Sequence, residues 1–255
     1  MSSQIHGFVA DGFEKIKTTF QEIISQAPEA GSAVSMWHKG ENVVNLWGGL
    51  ANRESKAAWE EDTKVVVFSS TKGLMSLALA RLFEAGKFSY DDLVSKFWPE
   101  YQGAGKERTT IAQLVSHQAG VPFFATDIQP EQVTNWDYMV SKIEQEAPMW
   151  QPGSSYAYHA ITHGWLTGEL IRRVSGMSPG EYLAKEISAP LYADTWLGLP
   201  AELEREVAPS FVHPDLTAFF VDLAKQNTDE GNFLIRSLTL GQAFSMNLVG
   251  KNEGF

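Results

Sequence analysis

The sequence contains no cysteine at all, which excludes disulfides, thiol nucleophiles and zinc sites built on thiolates. It has no apolar run approaching the roughly 18 residues of a membrane span. Its first residues, "MSSQIHGFVADGFEKIKTTFQ", do not pair a basic start with an apolar core as an export signal does, so a cytoplasmic location without a membrane partner is expected. Runs of lysine or arginine are also missing, and the net charge is -11. Repulsion from phosphate backbones then argues against nucleic acid as a partner. Internal repeats and low-complexity tracts are absent too.

What is present is enough apolar material for a core: 255 residues, 44% of them hydrophobic, a length suited to one large domain or one domain with an inserted lobe. Residues 8 to 26 carry Phe8, Val9, Phe13, Ile16, Phe20, Ile23 and Ile24 at helical spacing, which predicts an amphipathic helix. Alternation on both sides of Lys39-Gly40-Glu41-Asn42 predicts a β-hairpin over about 32 to 49. "VVVF", at 65 to 68, reads as a buried strand. A long apolar helix follows over 69 to 85, with Gly86 placed to close it in a left-handed conformation. Residues 87 to 150 read as irregular apart from a short helix in "TIAQLVSHQAG". Further helices are predicted at about 159 to 174, 181 to 187 and 235 to 246.

Between the strand and the helix stands "SSTKG", where Ser69 and Lys72 are three residues apart, the spacing that places two side chains on one helical face. A serine on the first turn has its oxygen near unpaired N–H groups and the positive end of the helix dipole, which favours a developing oxyanion. An amine one turn along can take the hydroxyl proton if its surroundings favour the neutral form. Spacing alone decides nothing, because roughly one Ser-x-x-Lys arises by chance in a chain of this composition. Ser69 or Ser70 could equally be a helix cap with Lys72 in solvent. Context favours chemistry: "LMSLALARLF" is apolar nearly all round, and a lysine on the first turn of a buried helix needs a compensating role. Downstream, Tyr156 and Tyr158 alternate just before another helix. A phenol beside a Ser/Lys pair is a competent proton relay, although packed tyrosines with paired hydroxyls are the commoner case.

Three segments in this order, "FSSTKGL", "TIAQLVSHQAGVP" and "PGSSYAYHAITHGWLTGELIRRVSG", resemble the serine β-lactamase and penicillin-binding-protein-like hydrolases, most closely the family VIII carboxylesterases. The similarity runs from about residue 8 to 200 and includes "VVNLWGG", "WEEDT" and "DDLVSKFWPEY". It implies an α+β fold of the β-lactamase/transpeptidase type, an antiparallel sheet flanked by helices with a helical lobe. The whole of 1–255 would then be one domain: an N-terminal helix and sheet hairpin over 1–68, a helical region carrying the site over 69–200, and the start of a C-terminal portion over 201–255. By the family pattern Ser69 is the acylated nucleophile, Lys72 the base, and Tyr158 the second proton-transfer residue, chosen over Tyr156 because it heads the triplet Tyr158-His159-Ala160. Many relatives carry Asn where this chain has Ala160, and losing that amide tilts the expectation from lactams toward small carboxylic esters with short acyl chains. No cofactor and no metal are implied.

The family's third motif, a Lys-Thr-Gly or His-x-Gly strand, has no counterpart between Pro200 and Phe255; "VGKNEG" is no substitute. On this reading the chain is truncated. A missing oxyanion donor costs about 10² to 10³ in rate, so activity of the 255 residues alone is in question. The hairpin would have an unpaired edge, which favours association with a second copy. Three rivals stay open: a β-lactamase, a D-alanyl peptidase, and a non-catalytic scaffold that keeps the fold.

Other patterns are better read as structure. "GMSPG" at 176 to 180 fits Gly-x-Ser-x-Gly, but Pro179 has no N–H to give an oxyanion. Ser178, Pro179 and Glu181 instead make a helix start with a capping box. His159 and His163 have metal spacing without the intervening Glu or a third ligand, and with His117 they are assigned to packing. Trp37, Trp47, Trp150 and Trp165 are expected to fill the core or line a pocket.

Overall fold

The computed structural model describes residues 4–210 and 214–244; the "VGKNEG" segment and positions 245 and 246 of the helix expected at 235 to 246 lie outside them, and within them that helix stops at Thr239. Four strands form an antiparallel sheet: β1 Ile5–Val9, β2 Gly31–His38, β3 Glu41–Asn52 and the short β4 Ala57–Ala58. β3 is central, paired with β1 on one edge and β2 on the other. The predicted hairpin is therefore β2–β3. Its turn is only Lys39 and Gly40, both at positive φ (52° and 83°), the mirror-image turn whose twist matches that of the strands. β1 covers one edge of β3, and β2 is left as the hairpin's edge strand, paired with β3 alone among the described residues.

The helix predicted over 8 to 26 begins later, as α1 Glu14–Gln26. Phe8 and Val9 finish β1, where Gly7 lies so close to the Asn45 carbonyl that a Cβ would overlap it. α1 closes one face of the sheet, with Phe20 and Ile24 packed on Val43, Val44 and Leu46. The opposite face carries Trp37, which is 69% exposed and so does not fill the core as expected.

The second layer is helical: α2 Thr71–Glu84, α3 Ile111–Val115, α4 Pro130–Val133, α5 Trp136–Gln145, α6 His163–Ser175, α7 Pro179–Leu183, α8 Ala189–Leu191, α9 Pro214–Gln226 and α10 Asp229–Thr239. One π turn, Ala184–Ser188, links α7 to α8. Gly86 follows α2 at φ 67°, as predicted. The main core forms around Trp98, Tyr101, Leu114, Met139, Ile143 and Leu166. α2 adds Met75, Ala78, Leu79 and Leu82, yet Leu77 and Phe83 on its other side are exposed, so the helix is apolar all round but buried on one face only among the described residues.

Residues 65 to 68 do not form the expected buried strand. They lead without regular structure into a single 3₁₀ turn, Phe68–Ser70, with Val65, Val66, Val67 and Phe68 all exposed. β-branched residues become a strand only where a partner supplies a ladder, and here a single bridge from Lys64 to Val207 is the neighbouring contact. α5, in a stretch that reads as irregular, is held by Asn135, whose side chain accepts the Tyr138 N–H at 3.0 Å.

Glu169 on α6 is fully buried and ties the lobe together. It accepts from Arg172 at 2.6 and 2.7 Å, Arg173 at 2.6 Å and the Trp136 indole at 2.9 Å. Arg173 also reaches Glu100 at 2.9 Å. Among the described residues no helix is long and apolar enough to cross a membrane.

Candidate active site

The 3₁₀ turn sets Ser69 at the entrance to α2. It starts at Phe68 with φ 44°, a left-handed conformation uncommon for a bulky residue and one that marks strain. No side-chain capping bond is made at the start of either the turn or α2, so the capping explanation for this hydroxyl pair has no support in the geometry. The structure instead brings Ser69, Lys72 and Tyr158 together. Lys72 Nζ donates to Ser69 Oγ at 3.2 Å and to the Ala160 carbonyl at 2.7 Å. Tyr158 donates its hydroxyl to Ser69 Oγ at 2.6 Å, and Lys72 Nζ lies 4.8 Å from the Tyr158 ring centre. Tyr156, 79% exposed, stands outside the group.

Two opposing effects act on Tyr158. Burial pushes its phenol up, but the hydrogen bond with Ser69 and the nearby Lys72 charge outweigh that and hold it below the usual tyrosine value. A phenol shifted this way exchanges a proton with a serine hydroxyl more readily. Ala160, where a side-chain amide was expected to be missed, contributes through its backbone oxygen.

The histidines stand behind the site. His159 is buried; its Nδ1 pairs with the Ala157 carbonyl at 2.6 Å and its Nε2 accepts the Val121 N–H at 3.0 Å. Both ring nitrogens thus serve the backbone. Burial holds His159 and His163 near pKa 4, neutral at physiological pH. Ser178 accepts the Glu181 N–H at 3.2 Å while the Glu181 carboxylate accepts the Ser178 N–H at 2.8 Å, the capping box read from "GMSPG". Helix α6 starts at His163 rather than 159, because residues 157 to 160 spend their backbone bonds on the site and on His117 instead of on a helical turn.

A cavity of about 640 Å³ opens beside Ser69 and Lys72, walled by Met75, Trp136, Trp165 and Leu197. Trp165, expected in the core or at a pocket, lines it. Trp136 and Met75 were not singled out, since a pocket wall at helical spacing looks the same as core in a sequence.

Residues 20–229 match the Beta-lactamase family. The chain is 29% identical over 217 residues to "Esterase/beta-lactamase LipL" of Mycobacterium tuberculosis, covering 84% of this chain and 50% of that protein. Among solved structures it is similar to a penicillin-binding protein homologue from Caulobacter crescentus, with TM-score 0.80 and 35% identity over 83% of this chain and 57% of that one. It is also similar to a family VIII carboxylesterase, with TM-score 0.79 and 30% identity over 94% and 66%. The chain spans about half the length of the curated relatives it matches.

Proposed function

The chain belongs to the beta-lactamase family, a hydrolase family with esterase relatives, and from that premise we propose that the protein is a serine carboxylesterase acting on small esters with short acyl chains. The observation that carries this reading is the convergence of the Tyr158 hydroxyl and the Lys72 amine on Ser69 Oγ. Ser69 Oγ attacks the ester carbonyl while its proton passes to Lys72, assisted by Tyr158. N–H groups at the start of α2 stabilise the oxyanion. The C–O bond to the alcohol breaks, and the proton returns to the departing alkoxide. Water, deprotonated by the same pair, then attacks the acyl-serine and restores Ser69. Each proton is received and returned within the Ser69–Lys72–Tyr158 group, so the cycle closes with no cofactor.

Ester rather than lactam turnover is supported by two features. Ala160 offers only a backbone carbonyl, already engaged by Lys72, and the cavity beside Ser69 has an apolar lining suited to an acyl chain. The 255-residue chain is expected to hydrolyse p-nitrophenyl acetate and butyrate with higher kcat/KM than nitrocefin. Nitrocefin turnover without ester turnover would replace this reading with a β-lactamase, and turnover of neither would leave a scaffold.

The cavity makes a second prediction. Gly164, on the first turn of α6, lines it, and a Cβ there would meet no atom within 4 Å. Gly164→Leu should fill part of the cavity without disturbing the helix. The butyrate-to-acetate ratio of kcat/KM is then expected to fall by about tenfold, the usual scale for losing a methylene or two of apolar contact. An unchanged ratio would place the acyl group elsewhere.

A further inference from the structure

Tyr158 is 47% exposed, and its ring lies at the edge of the site, so something other than close packing has to hold its hydroxyl against Ser69. Two of the groups that hold its segment come from one residue, His117. The Ala157 N–H donates to the His117 carbonyl at 3.3 Å, and the His159 N–H donates to His117 Nδ1 at 3.1 Å. The peptides on both sides of Tyr158 are thus fastened to a single side chain and its own backbone. The His117 ring also lies against the Tyr158 ring, with centres 5.1 Å apart and planes tilted by 58°. His117 adopts φ 64°, a left-handed conformation that asparagine and histidine tolerate better than most residues, and it is this backbone that supplies both a carbonyl and Nδ1 to the same short segment.

We propose that His117 is a positioning residue for Tyr158, and that its imidazole works as a proton-sensitive latch: neutral, it accepts the His159 N–H and holds Tyr158 on Ser69; protonated, it loses that acceptor and releases the phenol. This rests on the serine-hydrolase reading. An imidazolium has no lone pair at Nδ1, so protonation turns an accepted hydrogen bond into a contact between two donors. The titratable groups facing the ring are Lys72 from α2, Tyr158 and His159 from the 157–160 segment, and His163 from α6, whose ring centre is 4.6 Å away. Burial first, and the Lys72 charge second, hold His117 below the ordinary histidine value, so the latch is closed at neutral pH and opens on the acid side of that ordinary value. His159 and His163, with values near 4, stay neutral through most of that range.

Asparagine separates the two parts of the proposal. It tolerates the left-handed backbone, its Oδ1 stands close to where Nδ1 was and can accept the same N–H, and it does not titrate. The experiment follows the rate at which a fluorophosphonate probe labels Ser69, read by peptide mass spectrometry, together with p-nitrophenyl acetate hydrolysis, from pH 4.5 to 8.5. The parent chain, H117A and H117N are compared, each checked by thermal unfolding. H117A should label about 10 to 100-fold more slowly at pH 8, the cost of misplacing a proton-transfer group, and H117N should recover most of that loss. In acid the parent's logarithmic rate should fall with a slope steeper by about one than that of H117N, the difference being the proton taken up by His117.

H117A labelling within about twofold of the parent, or H117N keeping the parent's steeper slope, would overturn the proposal. So would an H117N no faster than H117A with unfolding unchanged. If H117A does not fold, the slope of H117N decides alone. A parent chain that is not labelled at Ser69 at any pH would overturn the nucleophile assignment itself, and this inference with it.

Discussion

Replacing Ser69 with alanine is expected to lower hydrolysis of p-nitrophenyl butyrate by about 10⁴-fold or more, to the level left by binding and oxyanion contacts alone. The size of the effect follows from the geometry. Tyr158 and Lys72 meet at one oxygen, and removing that oxygen leaves two proton-transfer groups with nothing to activate. Ser69 is exposed and makes no capping bond, so the alanine variant should unfold within about 0.5 kcal/mol of the parent. A rate within tenfold of the parent would assign catalysis to another group, and Ser70 is the first to examine.

The largest expected effect on stability lies away from this serine. Glu169 is a buried carboxylate with two arginines and an indole N–H converging on it. Glu169→Ala removes the acceptor and leaves Arg172, Arg173 and Trp136 without it in the lobe. Breaking such a buried group from one side costs about 3 to 5 kcal/mol, roughly 6 to 20 °C in Tm for a chain of this size. Burial pushes the Glu169 carboxyl up, but its hydrogen bonds to the arginines and Trp136 and the Arg172 charge outweigh that and hold it below 4.5. A carboxylate held below its unfolded value contributes stability that is complete above that value and is lost as pH falls through the folded one. Denaturant titrations should therefore show the parent losing stability below about pH 4.5, with a shallower loss in Glu169→Gln. An alanine variant as stable as the parent would show the network to be redundant.

The grouping of the candidate site was legible in the sequence because its parts sit in short segments with strong local signals. Ser69 and Lys72 share a helix turn, and Tyr158 lies in a motif fixed by Pro152 and Gly153; the structure brings the three together. The hairpin was legible for a similar reason, since alternation on both sides of Lys39-Gly40 admits few other structures. β1 was missed because Phe8 and Val9 continue the helical spacing of α1, and only the close approach of Gly7 to β3 separates the two elements. Val65 to Phe68 were misassigned in the other direction. Among the described residues no ladder partner adjoins the segment, and strand propensity without a partner does not make a strand.

The part of the site least visible in the sequence is its support. His117 stands in the conspicuous "SHQAG", but spacing along the chain does not show that its carbonyl and its Nδ1 both reach the segment around Tyr158, some forty positions away. Nor does composition distinguish Trp136 and Met75, which wall the cavity beside Ser69, from Trp98, which is fully buried in the core. Long-range contacts of this kind arise from tertiary packing, which leaves no periodic trace in the sequence. Ala160 is a related case: residue type pointed to what its side chain lacks, whereas its backbone oxygen is what Lys72 uses.

The most direct test of the central claim is covalent. The 255-residue chain, treated with a fluorophosphonate ester probe and digested, should carry one adduct on the peptide containing residues 65 to 80, localised by fragmentation to Ser69. That adduct should be absent from Ser69→Ala, while Lys72→Met and Tyr158→Phe should be labelled more slowly. An adduct on Ser70 or Ser178, or no adduct on a protein that still turns over esters, would contradict the assignment of Ser69 as nucleophile.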